Sequence, residues 1–206
     1  MKKLISAILI ALPILAISQE NLGYQKPPKE ILELVDVPLA PSTRIDDKGE
    51  KFFLLYRDAY KSIAELSEKE LRLAGLRINP KTNISSRERY YNNVKFKYVN
   101  GKETIQIKGL PKKPRISNFS WSPDQKMAAF THTSPTGVEL WIIDVATSQA
   151  KKLTEGVLNA NLRGVYSWFP DNSALLAKFL PNDRKPLVDT ESAVPSGPTI
   201  STSNGS

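Results

Sequence analysis

The sequence predicts an all-β fold with one short helix, on three observations. Apolar and polar residues alternate from Val94 onward, Asn100-Gly101 separates two such runs, and a Trp-x-Pro-Asp unit recurs 47 residues after its first occurrence. Alternation with period two places one face of a strand toward a core and the other toward water. An Asn-Gly pair between strands is the residue choice of a two-residue hairpin, because both residues tolerate positive φ.

Composition sets outer limits. The chain has 206 residues, 40% of them hydrophobic and 24% charged, which is the range of a globular chain. Cysteine is absent, so a disulfide framework, a cysteine-ligated zinc and a cysteine nucleophile are excluded. His132 is the single histidine, which excludes mechanisms that need two. The formal net charge is +8, but the basic residues are scattered and form no block, so no nucleic-acid partner is expected.

Residues 1–18 are expected to be a signal peptide. Lys2 and Lys3 precede a 14-residue apolar run from Leu4 to Ile17, and Ala16 and Ser18 supply the small residues of a cleavage site. As a helix that run is about 21 Å long, too short to span a bilayer, and Pro13 interrupts it. Cleavage after Ser18 leaves 188 residues in a periplasmic or extracellular compartment, with no membrane contact expected afterwards.

The remaining chain divides into a Pro-rich N-terminal segment (19–43), a β domain (44–180) and a polar linker or tail (181–206). In the first, the Pro27-Pro28 pair starts one or two helical turns over Lys29–Val35. In the second, a turn at Asp47–Gly49 feeds an apolar strand, Phe52–Tyr56. Ser67 and Glu70 match a capping box, which predicts a short helix near 68–74 ended by Gly75. Val94, Phe96 and Tyr98 mark a strand whose partner, Thr104–Ile107, returns across Asn100-Gly101.

The repeat organises the rest of the β domain. Trp121-Ser-Pro-Asp-Gln-Lys-Met-Ala-Ala-Phe130 recurs as Trp168-Phe-Pro-Asp-Asn-Ser-Ala-Leu-Leu-Ala177. In each unit an aromatic residue ends a strand, Pro presets φ in a turn, Asp124 or Asp171 bonds the turn backbone, and an apolar strand comes next. Val138–Val145 and Ala150–Thr154 supply two more strands, completing a four-stranded blade from Ile116 to Thr154. A period of this length is that of propeller blades. The expected architecture is a partial, unclosed β-propeller of two to three four-stranded blades.

The Trp121–Thr154 segment resembles propeller repeats of the TolB and prolyl oligopeptidase type. Glu70–Pro80 with Lys81-Thr-Asn83, Tyr90-Tyr91 and Val194-Pro-Ser-Gly-Pro-Thr-Ile200 are similar to the N-terminal propeller of exported glutamyl-endopeptidase-like serine peptidases, a branch of the prolyl oligopeptidase family. The resemblance implies a propeller truncated before an α/β-hydrolase domain that carries a Ser, Asp, His triad. It also implies that the propeller gates peptide access to that domain. Peptide substrate and the hydrolase domain are the partners it implies. The alternative is a stand-alone TolB-like propeller that binds an envelope protein or ligand.

No catalytic, cofactor-binding or metal-binding residue is assigned. The Gly-x-Ser-x-Gly elbow of α/β-hydrolases does not occur, and Ser196-Gly197-Pro198 is not one. His132 has no nucleophile or orienting carboxylate at a recognisable spacing. Asp46-Asp47 and Asp171-Asn172 read as turn residues, because no calcium-loop spacing surrounds them. Arg87, Arg89, Tyr90 and Tyr91 offer an anion- or peptide-contacting edge, and are read first as a solvated strand start. Trp121, Trp141 and Trp168 are read as packing residues. The chain alone is expected to be inactive.

Overall fold

The computed structural model describes residues 26–184. The segment 1–18 expected to be a signal peptide and the Val194–Ile200 motif lie outside the described residues, as does most of segment 181–206.

The chain divides into two compact units, the first ending at Pro38 and the second starting at Leu39. The first contains helix α1 (Lys29–Val35), where the sequence places it; Pro28 precedes it and its carbonyl accepts the Leu32 N–H at 3.0 Å. None of its residues is buried. Among the described residues no helix is long and apolar enough to cross a membrane.

The second unit is built from short antiparallel strands. Strands β1 (Ser42–Ile45) and β2 (Lys51–Tyr56) form a hairpin, followed by an excursion over residues 57–92. The excursion holds helix α2 (Ile63–Leu66) and strands β3 (Leu71–Leu73), β4 (Leu76–Asn79) and β5 (Ile84–Ser85). Strands β6 (Asn93–Tyr98) and β7 (Ile105–Gln106) then complete a sheet of order β1-β2-β6-β7. A second sheet has the order β11-β10-β9-β8, from β8 (Ile116–Trp121), β9 (Met127–Thr133), β10 (Val138–Asp144) and β11 (Gln149–Lys152). Strands β12 (Tyr166–Trp168) and β13 (Leu175–Ala177) form a further hairpin. Two four-stranded meanders and the opening hairpin of a third constitute a partial β-propeller.

The first hairpins of the second and third sheets share their register. Trp121 pairs with Ala128 and Trp168 with Leu175, so both tryptophans end the first strand at the same place. Gln125 and Asn172 occupy the same turn position, with φ of 59° and 63°. Each donates its backbone N–H three residues back, to Ser122 and Phe169. The tryptophans also reach back to the same position: Trp121 Nε1 donates to the Arg44 carbonyl and Trp168 Nε1 to Ser120 Oγ, each acceptor being the second-last residue of the preceding first strand.

The β1–β2 hairpin is a third copy without the sequence signature. Ile45 pairs with Phe52, Gly49 takes the positive φ of 69°, and its N–H bonds the Asp46 carbonyl. Asp46 Oδ1 accepts the N–H groups of Glu50 and Lys51, the task that Ser122 and Asp124 share in the next blade.

Alternation along β10 divides the core in two. Ile143 faces the first sheet, in a cluster with Phe53, Leu55, Val94, Phe96 and Phe130. Val138 and Leu140 face the other way, toward Ile84, Leu158 and Val165, with Tyr166 and Leu175 packed against them. The second blade is therefore covered on both faces, as propeller blades require.

Two local expectations are corrected. The short helix is not at 68–74 but at Ile63–Leu66, where Ser62 and Glu65 form the capping box. Ser67 ends that helix, and Leu71–Leu73 is strand β3. Ala74 and Gly75, both at positive φ (45° and 84°), turn β3 into β4 as a two-residue hairpin. At the other hairpin, Phe96 pairs with Ile105 as a two-residue loop at Asn100-Gly101 dictates. The tight turn, however, is closed from the Gly101 N–H to the Tyr98 carbonyl, and neither Asn100 nor Gly101 has positive φ. The Val99 N–H extends the ladder to the Glu50 carbonyl, which moves the bend back by one residue.

Candidate functional site

The excursion over residues 57–92 folds against the segment leading into β8 and encloses a cleft of about 1190 Å³. Its charge is dense: of the 36 residues from Arg57 to Asn92, eight are basic and five acidic. Lys113 and Arg115 add two more cations from the facing segment.

Three fixed points hold the cleft open. The first is Glu70, whose Oε1 accepts from Arg72 Nε and Arg77 Nη1, both at 2.9 Å, while Ser86 Oγ donates to Oε2. The Ser86 and Arg72 hydrogen bonds pull its carboxyl down to about 2. The second is Arg115, whose Nη1 donates to Glu68 Oε1 at 3.0 Å and whose guanidinium lies 4.4 Å from the Tyr90 ring centroid. Burial raises the Tyr90 phenol and the Arg115 charge opposes that rise. The third is the Ser62–Glu65 capping box beside Lys61, whose Nζ donates to the Ser86 carbonyl at 2.8 Å. Burial pushes the Glu65 carboxyl up, but the Ser62 hydrogen bonds and the charges of Arg115 and Lys61 leave it below its ordinary value.

Eight cations line the cleft against four carboxylates, and two of the four are held by arginines. Glu68 and Glu70 are bound to arginines, and Asp58 accepts from Asn92 Nδ2. Arg57, Arg87 and Arg89 line the cleft without an acidic partner among the described residues. Guanidinium groups presented in this way have the donor geometry that suits oxyanions and carboxylates.

The structure therefore joins Arg87, Arg89 and Tyr90 to one cleft, while Tyr91 packs against the core between the first two sheets and exchanges backbone hydrogen bonds with Ile116. Lys61, Glu68 and Arg115 belong to no motif, Glu70 opens the Glu70–Pro80 segment and matches a capping box that does not form, and the dense charge of residues 57–92 adds to the signal of Arg87, Arg89 and Tyr90. His132 stands on β9, buried, with Nδ1 accepting the Arg115 backbone N–H at 3.2 Å and its ring edge-on to Trp141. Burial lowers its imidazole, with Glu139 pulling the other way. Asp46 and Asp171 accept backbone N–H groups within their own turns. Asp47 and Asn172 bond neighbouring hairpins. Trp121 packs on Phe53 with centroids 4.5 Å apart, and Trp141 donates to Glu139 at 2.8 Å. Among the described residues, no group of three or more His, Asp or Glu is placed to hold a metal ion.

No family model matches the chain. It is 32% identical over 193 residues to a probable chloroplastic glutamyl endopeptidase of Arabidopsis thaliana, covering 85% of this chain and 19% of that protein. It is 31% identical over 197 residues to a probable chloroplastic glutamyl endopeptidase of Oryza sativa subsp. japonica, covering 89% of this chain and 21% of that protein. The chain thus spans about a fifth of the length of the curated relatives it matches, with which it shares weak homology. Among solved structures it is similar to TolB from Acinetobacter baumannii, at a TM-score of 0.33 and 17% identity over 80% of this chain and 48% of that one.

Proposed function

We propose that this chain is a non-catalytic propeller portion of an exported serine peptidase, and that it gates peptide access to an α/β-hydrolase domain carried elsewhere in the whole protein. The observation that carries the reading is the homology to proteins named glutamyl endopeptidases, which runs through 85–89% of the chain. The physical content agrees with a division of labour. A second blade packed on both faces gives a rigid wall, and a charged cleft opens beside it, while the nucleophile elbow of a hydrolase does not occur in the sequence. A wall of this kind selects substrates by excluding those that cannot pass it, and contributes nothing to the bond-breaking step.

The test replaces the aligned segment of the Arabidopsis relative with residues 39–184 of this chain. Hydrolysis of short Glu-containing peptides is expected to persist, with intact folded proteins spared. The isolated chain is expected to cleave neither. Turnover of peptides by the isolated chain, or a chimera that degrades folded proteins as fast as peptides, would overturn the reading. If the chimera does not fold, association of the isolated chain with the separately produced hydrolase portion of the relative is measured instead, and absence of binding counts against the proposal.

A further inference from the structure

We propose that the cleft between the excursion and the segment before β8 is a docking site for acidic peptide segments, with Arg57, Arg87 and Arg89 as the residues that engage the carboxylates. The proposal rests on the reading of the chain as a peptide-handling propeller and adds a ligand chemistry and a location to it.

Part of the charge in the cleft has no internal use. Eight cationic side chains line it against four carboxylates. Glu70 is held by two arginines and Glu68 by a third, so these acidic side chains are already engaged. Arg57, Lys61, Arg87, Arg89 and Lys113 are in no ion pair among the described residues, and the three arginines reach the cavity from both ends of the excursion. A surface that only needed solubility would intersperse its signs, and a surplus focused by concave walls raises the local potential for an anionic ligand.

The arginines are also preorganised. Arg87 and Arg89 come directly after β5, and the Arg87 N–H bonds Ser85 Oγ. Ser86, beside Arg87, is anchored by Glu70 and by Lys61. Tyr90 is clamped under the Arg115 guanidinium. The backbone that bears the two arginines is therefore fixed on both sides while Arg87 and Arg89 stay exposed. Guanidinium groups presented this way bind carboxylates through paired N–H donors, with less ordering cost than a mobile loop would incur. At about 1190 Å³ the cleft has room for a peptide segment rather than a single small anion, and Tyr90 supplies an apolar wall beside the cations.

The test uses fluorescence anisotropy of the full chain with a labelled Glu-rich peptide and its Gln-substituted counterpart. The Glu peptide is expected to bind and the Gln peptide to bind at least about ten-fold more weakly. The double variant Arg87→Gln/Arg89→Gln is expected to lower affinity for the Glu peptide about ten-fold, and Arg57→Gln to lower it in the same direction. Lys97→Gln/Lys102→Gln, which removes equal charge from the first blade, is expected to change it less than about two-fold. Equal loss in both double variants would show diffuse attraction by net charge and overturn the site. So would equal binding of the two peptides, or no binding of either. Thermal melting of each variant identifies any loss that comes from unfolding; Arg57→Gln then stands as the second test. Failure here leaves the gating function standing, because the chimera tests that separately. Success here with a failed chimera would leave an acidic-peptide binder that does not serve a peptidase.

Discussion

Asn172 reaches back across one blade, its side-chain Oδ1 accepting the backbone N–H of Asp124 at 2.9 Å. Gln125, at the same place in the preceding turn, does the same, with Nε2 donating to Asp47 Oδ2 at 3.1 Å. The residue forced into the left-handed region by the turn is thus also the residue that ties neighbouring hairpin tips together. Gly49 holds that place in the first hairpin, where there is no side chain to extend.

Asn172→Ala should destabilise the fold by about 1–2 kcal/mol. The substitution removes the link to Asp124 and places alanine at φ 63°, where asparagine is better tolerated. Denaturant unfolding measures the change; an unaltered midpoint would show that the tie contributes nothing.

Ala74→Gly should raise stability by about 0.5 kcal/mol. Ala74 is exposed at φ 45° in the β3–β4 turn, and relief of the left-handed strain exceeds the entropy that glycine adds to the unfolded chain. A lower melting temperature would contradict this account of the turn.

Phe53→Ala should cost about 3–5 kcal/mol. The ring is fully buried and meets Phe96, Phe119 and Trp121 at centroid distances of 5.3, 5.0 and 4.5 Å, so it joins the first blade to the second. Loss of cooperativity in the melt is the accompanying signature.

Acid should spare the Glu70 network to unusually low pH. With the carboxyl lowered from 4.5 to about 2, its stabilising effect is complete above the unfolded value and is lost as pH falls through about 2. The side-chain carboxyl resonance of Glu70 should therefore titrate near that value. Glu70→Gln should flatten the pH dependence of melting between 4.5 and 2, and an ordinary titration would remove the network from the cleft's support.

The blades are legible in the sequence because their signals are local. Trp121 and Trp168 carry the same turn chemistry at a fixed spacing, and the strands after them bury alternate residues. The first hairpin hides its kinship, because Asp46 and Gly49 build the same turn with Ile45, Asp47 and Lys48 where the later units have Trp, Pro and Asp. The helix lies elsewhere than expected because Ser62 and Glu65 satisfy the capping box as well as Ser67 and Glu70 do. Tertiary partners decide between them: Arg72, Arg77 and Ser86 claim Glu70. The cleft is the least legible part. Arg115 and Glu68 meet across 47 residues of chain, and no periodicity encodes such a meeting.

Tyr56 and Asn93 face each other across the β2–β6 ladder, with the whole 57–92 excursion leaving from one and returning at the other. Its length is consequently invisible to the register of the first sheet. Changes at its exposed residues leave that pairing untouched, whereas Ile84, Tyr91 and Glu68 tie the excursion to the second blade, so only part of this appendage can vary apart from the scaffold.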